Sequence, residues 1–316
     1  MQSINLHHHP FSAMIPAIKL KNVTKQFGNF TAVDSLDMEV MAGEIYGFLG
    51  PNGSGKSTTL RMLLSLIKPT SGSIQVFGHD MKNARDRIMG KIGCIIEKPD
   101  FYGYLSAQKN IELMARASSL KYTGKQYRDL FELVGLNGRQ QDKVKTYSHG
   151  MKQRLGLAQA LVHNPDLIIL DEPNTGLDPQ GIIDLRTLLV KLNKELGKTI
   201  LLSSHILSEI EAIADSMIVL NKGKTVAQGK VQELLSNEDL HVEIEIEEGV
   251  VAATQLIQIS QWAKHFVGQE DNVLRFQLSK AEIGKLNQFL IEEKIMVQRI
   301  EFKRQLEEYF LKMTHN

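Results

Sequence analysis

Cysteine is nearly absent: Cys94 is the one thiol among 316 residues. No intrachain disulfide can brace the fold, which is compatible with a reducing cytoplasm, and Cys94 is expected as a small buried apolar side chain. An excess of either charge is also missing. The chain carries 37 basic and 36 acidic residues, a net charge of +1, so bulk electrostatics give no reason to expect nucleic acid as the main partner. No uninterrupted apolar run approaches the roughly eighteen residues that cross a bilayer as a helix. The start, Met1 to Ala17, lacks a basic segment followed by an apolar core, so neither a membrane span nor a secretion leader is expected. Internal repeats and low-complexity tracts are lacking as well.

What is present is ordinary for a globular protein. With 42% apolar and 23% charged residues, the composition argues against disorder, collagen or a disulfide framework. At roughly 150 residues per domain, the length suggests about two domains. His7, His8 and His9 directly precede Pro10; three adjacent imidazoles there are expected in a flexible tail rather than in a metal site. Met14 is an alternative start to Met1, because patterned sequence begins at Ile18.

From Ile18, two alternating segments (Ile18, Leu20, Val23, then Leu36, Met38, Val40) predict strands around a Phe27-Gly28-Asn29 turn. Glu44 to Leu49 is a short apolar run entering a glycine-rich turn, and Lys56 to Ile67 has leucines at helical spacing. Between about Asp100 and Val162 the spacing is mostly helical, which predicts an inserted lobe. Leu167 to Leu170 reads as a buried parallel strand, followed by helix Gly181 to Leu196, strand Thr199 to Ser203, helix Leu207 to Ala214 and strand Met217 to Leu220. Such alternation predicts an α/β layered core. After Gly229 the texture changes: His241 to Glu247 alternates strictly, and strands near Val273 to Leu278 and Met296 to Phe302 flank a helix over Lys280 to Glu293. Residues 1–17 are thus read as a flexible extension and 18–230 as an α/β domain with a helical lobe at about 98–163. Residues 231–316 are read as a small α+β accessory domain with its own core.

Gly50-Pro51-Asn52-Gly53-Ser54-Gly55-Lys56-Ser57 satisfies G-x-x-x-x-G-K-[ST] between a predicted strand and helix. A triphosphate needs backbone N–H groups pointing inward; glycines permit the tight path, and a helix N-terminus adds positive potential. Lys56 would supply a cation for the outer phosphates, Ser57 a hydroxyl for Mg²⁺, and Thr58 a further phosphate hydrogen bond. Asp171 and Glu172 end the buried strand at its carboxyl edge, where ligands of open α/β sheets sit. Asp171 would hold the metal through a water, and Glu172 would orient or deprotonate the water attacking the γ-phosphate.

Tyr147-Ser148-His149-Gly150-Met151-Lys152-Gln153-Arg154 stands ahead of a helix, upstream of Asp171. It resembles the signature sequence of ABC ATPases, usually Leu-Ser-Gly-Gly-Gln, with Ser148 and Gly150 at matching positions; His149 and Met151 depart from it. In that family the signature reaches the γ-phosphate of ATP bound by the opposite subunit. The resemblance therefore implies a homodimer or paired nucleotide-binding subunit, head to tail, with two ATPs between. Asn174 to Asp178 resembles the D-loop, whose Asp178 would cross the dimer. His205 resembles the switch histidine that senses the γ-phosphate, and Phe27 stands where the family stacks an aromatic on adenine. The resemblance covers about Ile18 to Gly229 and implies a P-loop NTPase core of ABC ATPase type, with N-terminal antiparallel strands and an inserted helical subdomain.

At the Q-loop position the chain has Glu97 where the family usually has glutamine. Glu97 can offer an oxygen to Mg²⁺, but as an anion beside Glu172 and the phosphates it makes the site more Mg²⁺-dependent or demands compensation; alternatively it is a tolerated substitution. This variant, followed by Pro99, Phe101, Tyr102 and Tyr104, is similar to the ATP-binding subunits of bacitracin- and lantibiotic-type exporters. The three aromatics fit either lobe core or the docking groove of a membrane subunit. A Leu-Glu-x-x-Phe ending within Arg304 to Leu311 also resembles exporter-type subunits, and equally fits a closing amphipathic helix. The family resemblance implies an ATPase peripheral to the inner face of the cell membrane, driving export through integral membrane permease subunits, with no nucleic-acid partner. A soluble ABC ATPase acting on nucleic acid or ribosomes is the alternative, although the long coiled-coil insertion or second nucleotide domain of such proteins is lacking. A nucleotide-responsive regulator that hardly hydrolyses is a third reading.

Overall fold

The structure, a computed structural model, describes residues 15–236 and 240–303. His7 to His9, Met14 and the closing segment Arg304 to Met313 lie outside the described residues. The chain divides into two compact units, Met1–Val231 and Gln232–Asn316.

The first unit opens with two long strands, β1 (Pro16–Phe27) and β2 (Phe30–Met41), then β3 (Ile45–Leu49) and helix α1 (Lys56–Leu63). Next come β4 (Ser71–Val76), β5 (His79–Asp80), α2 (Arg85–Met89) and β6 (Ile92–Ile95). The lobe helices are α3 (Ala107–Ala117), α4 (Gly124–Leu133) and α5 (His149–Leu161). After them follow β7 (Leu167–Leu170), α6 (Pro179–Lys194), β8 (Thr199–Ser204), α7 (Leu207–Glu211), β9 (Ser216–Asn221) and β10 (Lys224–Lys230), and α8 (Val231–Ser236) leads into the second unit.

Two sheets result. One is antiparallel in the order β2-β1-β4-β5; the other runs β10-β9-β3-β8-β7-β6, parallel except for the hairpin strand β10. The central strands β3, β7 and β8 are buried at every position, which is why they read as unbroken apolar runs rather than alternating ones. One hydrophobic cluster joins Ile18 and Leu36 of the antiparallel sheet, Leu60 and Leu63 of α1, and Phe48, Ile169 and Leu201 of the parallel sheet. That packing fixes α1 at the carboxyl end of β3. In the lobe, Ser106 caps α3 and a Thr123/Gln126 capping box starts α4.

Three expectations change here. β1 starts at Pro16, with Ala17 buried, so regular structure begins before Ile18. Cys94 is exposed: β6 is the edge strand, and its outer face opens onto a cleft of about 550 Å³ that Leu64, Leu66, Met89 and Ile96 also line. Tyr102 and Tyr104 are 57% and 68% exposed, so they are not lobe core. Asn110 holds their loop in place, accepting from the Tyr102 backbone N–H at 2.9 Å and donating to its carbonyl at 3.2 Å.

In the second unit, β11 (Leu240–Ile246), α9 (Val250–Ile259), β12 (Phe266–Glu270), β13 (Val273–Leu278), α10 (Lys280–Glu292) and β14 (Val297–Lys303) form a βαββαβ chain. The strand order β12-β13-β11-β14, antiparallel throughout, is that of a ferredoxin-like split βαβ. Leu240, Val242, Ile244 and Ile246 turn inward from β11 onto a core with Ile257, Trp262, Phe276 and Leu286. Alternate positions carry charge, and Arg275 bridges Glu243 and Glu270 while Arg299 bridges Glu245 and Glu301.

Candidate nucleotide site

The turn after β3 is shaped by its glycines. Gly55 has φ +108°, and a Cβ there would stand 2.6 Å from the Ala32 carbonyl oxygen, so only glycine lets the loop pass β2 and turn into α1. The first N–H groups of α1, from Lys56, Ser57 and Thr58, have no carbonyl one turn earlier within the helix, and they form a positive end for an anion. Lys56 is only 5% exposed. Its ammonium donates to the carbonyls of Gly50 at 2.6 Å and Pro51 at 3.2 Å and lies 3.4 Å from Glu172 Oε1. Burial pushes its pKa down, and the Glu172 charge pushes back.

The carboxylates come from the end of β7. Asp171 is buried and accepts from the Ser203 hydroxyl on neighbouring β8 at 2.5 Å. Glu172 has a left-handed backbone, φ +48°, and donates its N–H to the Ser203 oxygen at 2.9 Å. Its Oε2 lies 2.7 Å from His205 Nδ1, while Oε1 is buried without a hydrogen bond. Asp171, Ser203, Glu172, His205 and Lys56 therefore already form one connected network.

A pocket of about 370 Å³ opens on this network, with Asn52, Glu97, Asp171, Glu172 and His205 in its wall. His149 and Gln153 from α5 reach it from the lobe side. Glu97 has φ +63° and pairs with Arg61 of α1 at 2.5 Å, the compensating charge that an anion at this position requires. Other singled-out residues do not line the pocket. Ser148 is exposed and caps α5 by accepting from the Met151 N–H at 3.3 Å, and Gly150 follows it on the same helix. Asp178, also exposed, caps α6 by accepting from the Gly181 N–H at 3.0 Å. Phe27 is 50% exposed at the β1–β2 turn, with the Lys25 ammonium 4.8 Å from its ring centre.

Sequence reasoning gave no role to Arg61, Gln153, Thr175 or Ser203, although Gln153 and Thr175, which also line the pocket, lie within the signature and D-loop stretches, and Ser203 is a hydroxyl closing an apolar strand. Among the described residues, no cluster of three or more His, Cys, Asp or Glu could by itself hold a metal ion. By donor chemistry alone, a hydroxyl such as that of Ser57 and a carboxylate such as that of Asp171, direct or through a water, suit a small hard cation that takes its other ligands from phosphate and water.

The family model described as "ABC transporter" matches residues 33–175. Over 304 residues the chain is 40% identical to the bacitracin transport ATP-binding protein BcrA of Bacillus licheniformis, covering 95% of this chain and 98% of that one. The lantibiotic transport ATP-binding protein SrtF of Streptococcus pyogenes is 39% identical, over 71% of this chain and 97% of its own. Among solved structures, the dimeric post-hydrolysis state of the ATP-binding cassette MJ0796 bound to ADP and Pi superimposes with a TM-score of 0.61. It is 29% identical, over 68% of this chain and 98% of its own.

Proposed function

Since this chain belongs to the ATP-binding subunits of ABC transporters, the ATPases that drive transport, we propose a cycle in which two copies close on ATP, hydrolyse it and reopen, moving an attached membrane partner. The observation that carries this reading is the meeting of Asp171, Glu172 and His205 at one pocket, with the buried Lys56 ammonium 3.4 Å from Glu172 behind it, while Ser148, Gly150 and Asp178 stay outside it.

The backbone from Gly50 to Gly55, including Asn52, Gly53 and Ser54, cradles the phosphates, and Lys56 leaves its carbonyl partners and Glu172 to meet them. Thr58 adds a hydrogen bond, and Phe27 stacks on the adenine. Ser57 and Asp171 would hold Mg²⁺, with an oxygen from Glu97; when bound, it neutralises charge developing on the β- and γ-phosphate oxygens. Freed from Lys56, Glu172 orients and deprotonates the attacking water, and His205 senses the γ-phosphate while holding the Glu172 carboxylate. Ser148, Gly150 and Asp178 act on the nucleotide of the opposite copy. Neither chain owns a complete site, so hydrolysis and dimer closure are one two-state event.

Among the described residues, no helix is long and apolar enough to cross a membrane; integral permease subunits would provide the path. The cleft beside Cys94, with Leu66, Met89 and Pro99 in its wall and exposed Tyr102 and Tyr104 in the loop that follows Pro99, suits a helix from such a subunit at the cytoplasmic face. The names of the relatives, bacitracin and lantibiotic transport ATP-binding proteins, favour transport over action on nucleic acid. Lys56→Ala is expected to abolish nucleotide binding or turnover. Glu172→Gln is expected to accumulate an ATP-bound dimer, seen as a doubled mass in solution. Normal turnover in both variants contradicts the assignment.

A further inference from the structure

Ser203 belongs to none of the motifs above, yet its hydroxyl joins both acids of the site. It is 0% exposed, at the carboxyl end of β8 between β3 and β7. A hydroxyl has one proton to give, and the geometry assigns it: Oγ donates to Asp171 Oδ1 at 2.5 Å. The lone pair then takes the Glu172 N–H at 2.9 Å. The preceding strand residues, Ile200, Leu201 and Leu202, are apolar and buried, so an apolar side chain would extend the run without difficulty. A buried hydroxyl costs free energy unless both bonds are made, and here both are made to the residues that bear the chemistry.

The bond to Glu172 bears on backbone shape. At φ +48° this residue occupies a region that non-glycine side chains visit rarely, and surrounding contacts must hold it there. From that conformation its carboxylate reaches both His205 and Lys56. The bond to Asp171 engages Oδ1 and leaves Oδ2 for a cation.

We infer that Ser203 is a positioning residue, orienting Asp171 toward Mg²⁺ and holding the Glu172 backbone in its left-handed turn. The inference rests on the nucleotide reading above. Groups that orient metal ligands contribute about 10- to 100-fold to metal affinity or activity when removed. Its test is the Mg²⁺ dependence of binding of a non-hydrolysable ATP analogue, measured on the full chain by titrating Mg²⁺ at fixed analogue, with turnover measured alongside. Ser203→Thr and Ser203→Val have nearly the same volume and differ in the hydroxyl, so the pair separates hydrogen bonding from packing even if Ser203→Ala folds poorly. The threonine variant is expected to keep wild-type Mg²⁺ dependence. The valine variant should need about tenfold more Mg²⁺ and lose kcat, while its Mg²⁺-free analogue affinity stays unchanged. Indistinguishable threonine and valine variants overturn the inference. A wild-type chain without Mg²⁺-dependent analogue binding overturns the nucleotide reading itself, and the inference with it.

Discussion

Gly53 and Gly55 occupy the same turn, the first at a variable position of the motif and the second at a fixed one, and they meet different surroundings. Both have positive φ, +78° and +108°, yet a Cβ at Gly53 meets nothing within 4 Å, whereas one at Gly55 meets the Ala32 carbonyl oxygen at 2.6 Å. Gly53→Ala should therefore cost only the backbone strain, about 1 kcal/mol. Gly55→Ala adds a clash with main chain that cannot move without disturbing β2, and should cost about 3 kcal/mol or more. The check is thermal unfolding, where that difference corresponds to a gap of at least about 4 °C. Glu97 is the opposite kind of residue. Its pair with Arg61 joins two substantially exposed side chains, so Glu97→Gln is expected to change stability by less than about 1 kcal/mol, read by the same melt. Any larger effect of that substitution belongs to nucleotide binding, where its charge matters.

At the scale of elements, the parallel core was legible because burial on both faces leaves runs such as Leu167 to Leu170 with no polar interruption. The motif loop was legible because phosphate binding restricts residue type at fixed spacing. What escaped was decided by neighbours. Val250–Ile259 is rich in β-branched residues, whose local preference is for strands. It is a helix because Ala253 and Ile257, one turn apart, bury against the sheet. β12, at the sheet edge, has Phe-Val-Gly-Gln-Glu and is placed by its pairing to β13 and by Phe266 packing on the core, and no alternation announces it. The contact between Ser203 and two acids a strand away has no signature in chain order at all. A related case is Lys198, just before β8. It is buried, donates to Asn164 Oδ1 at 2.8 Å, and burial holds its pKa below the ordinary 10.5. Between the folded value and 10.5 the unfolded chain binds more protons than the folded one, so this group makes stability rise with pH. Wild type is therefore expected to gain in melting temperature relative to Lys198→Met as pH is raised toward 10.5. A constant difference across that range would show that the folded pKa is ordinary.

For the whole molecule, the decisive feature is which residues do not face the pocket of their own chain. Ser148 and Asp178 are spent as helix caps at exposed helix starts, whereas Lys56, Asp171 and Glu172 share one network through the Lys56–Glu172 pair and the Ser203 hydroxyl. A head-to-tail dimer with twofold symmetry makes each site from the Lys56 half of one copy and the Ser148 half of the other. Two inactive variants should then rescue each other. Lys56→Ala spoils the first half of a site, and Ser148→Arg blocks the second half with a bulky cation. In a mixed dimer, one site carries both defects, but the other joins the intact Lys56 of one chain to the intact Ser148 of its partner. With random pairing, half of the dimers are mixed and half of their sites are whole, so the mixture should recover up to about a quarter of wild-type ATP turnover. A site complete within one chain has no such route: each chain keeps its own lesion, and mixing restores nothing. The measurement is phosphate release from the two variants alone and after co-incubation at equal concentration. Recovery should depend on total protein concentration, because the restored site exists only while two copies are together.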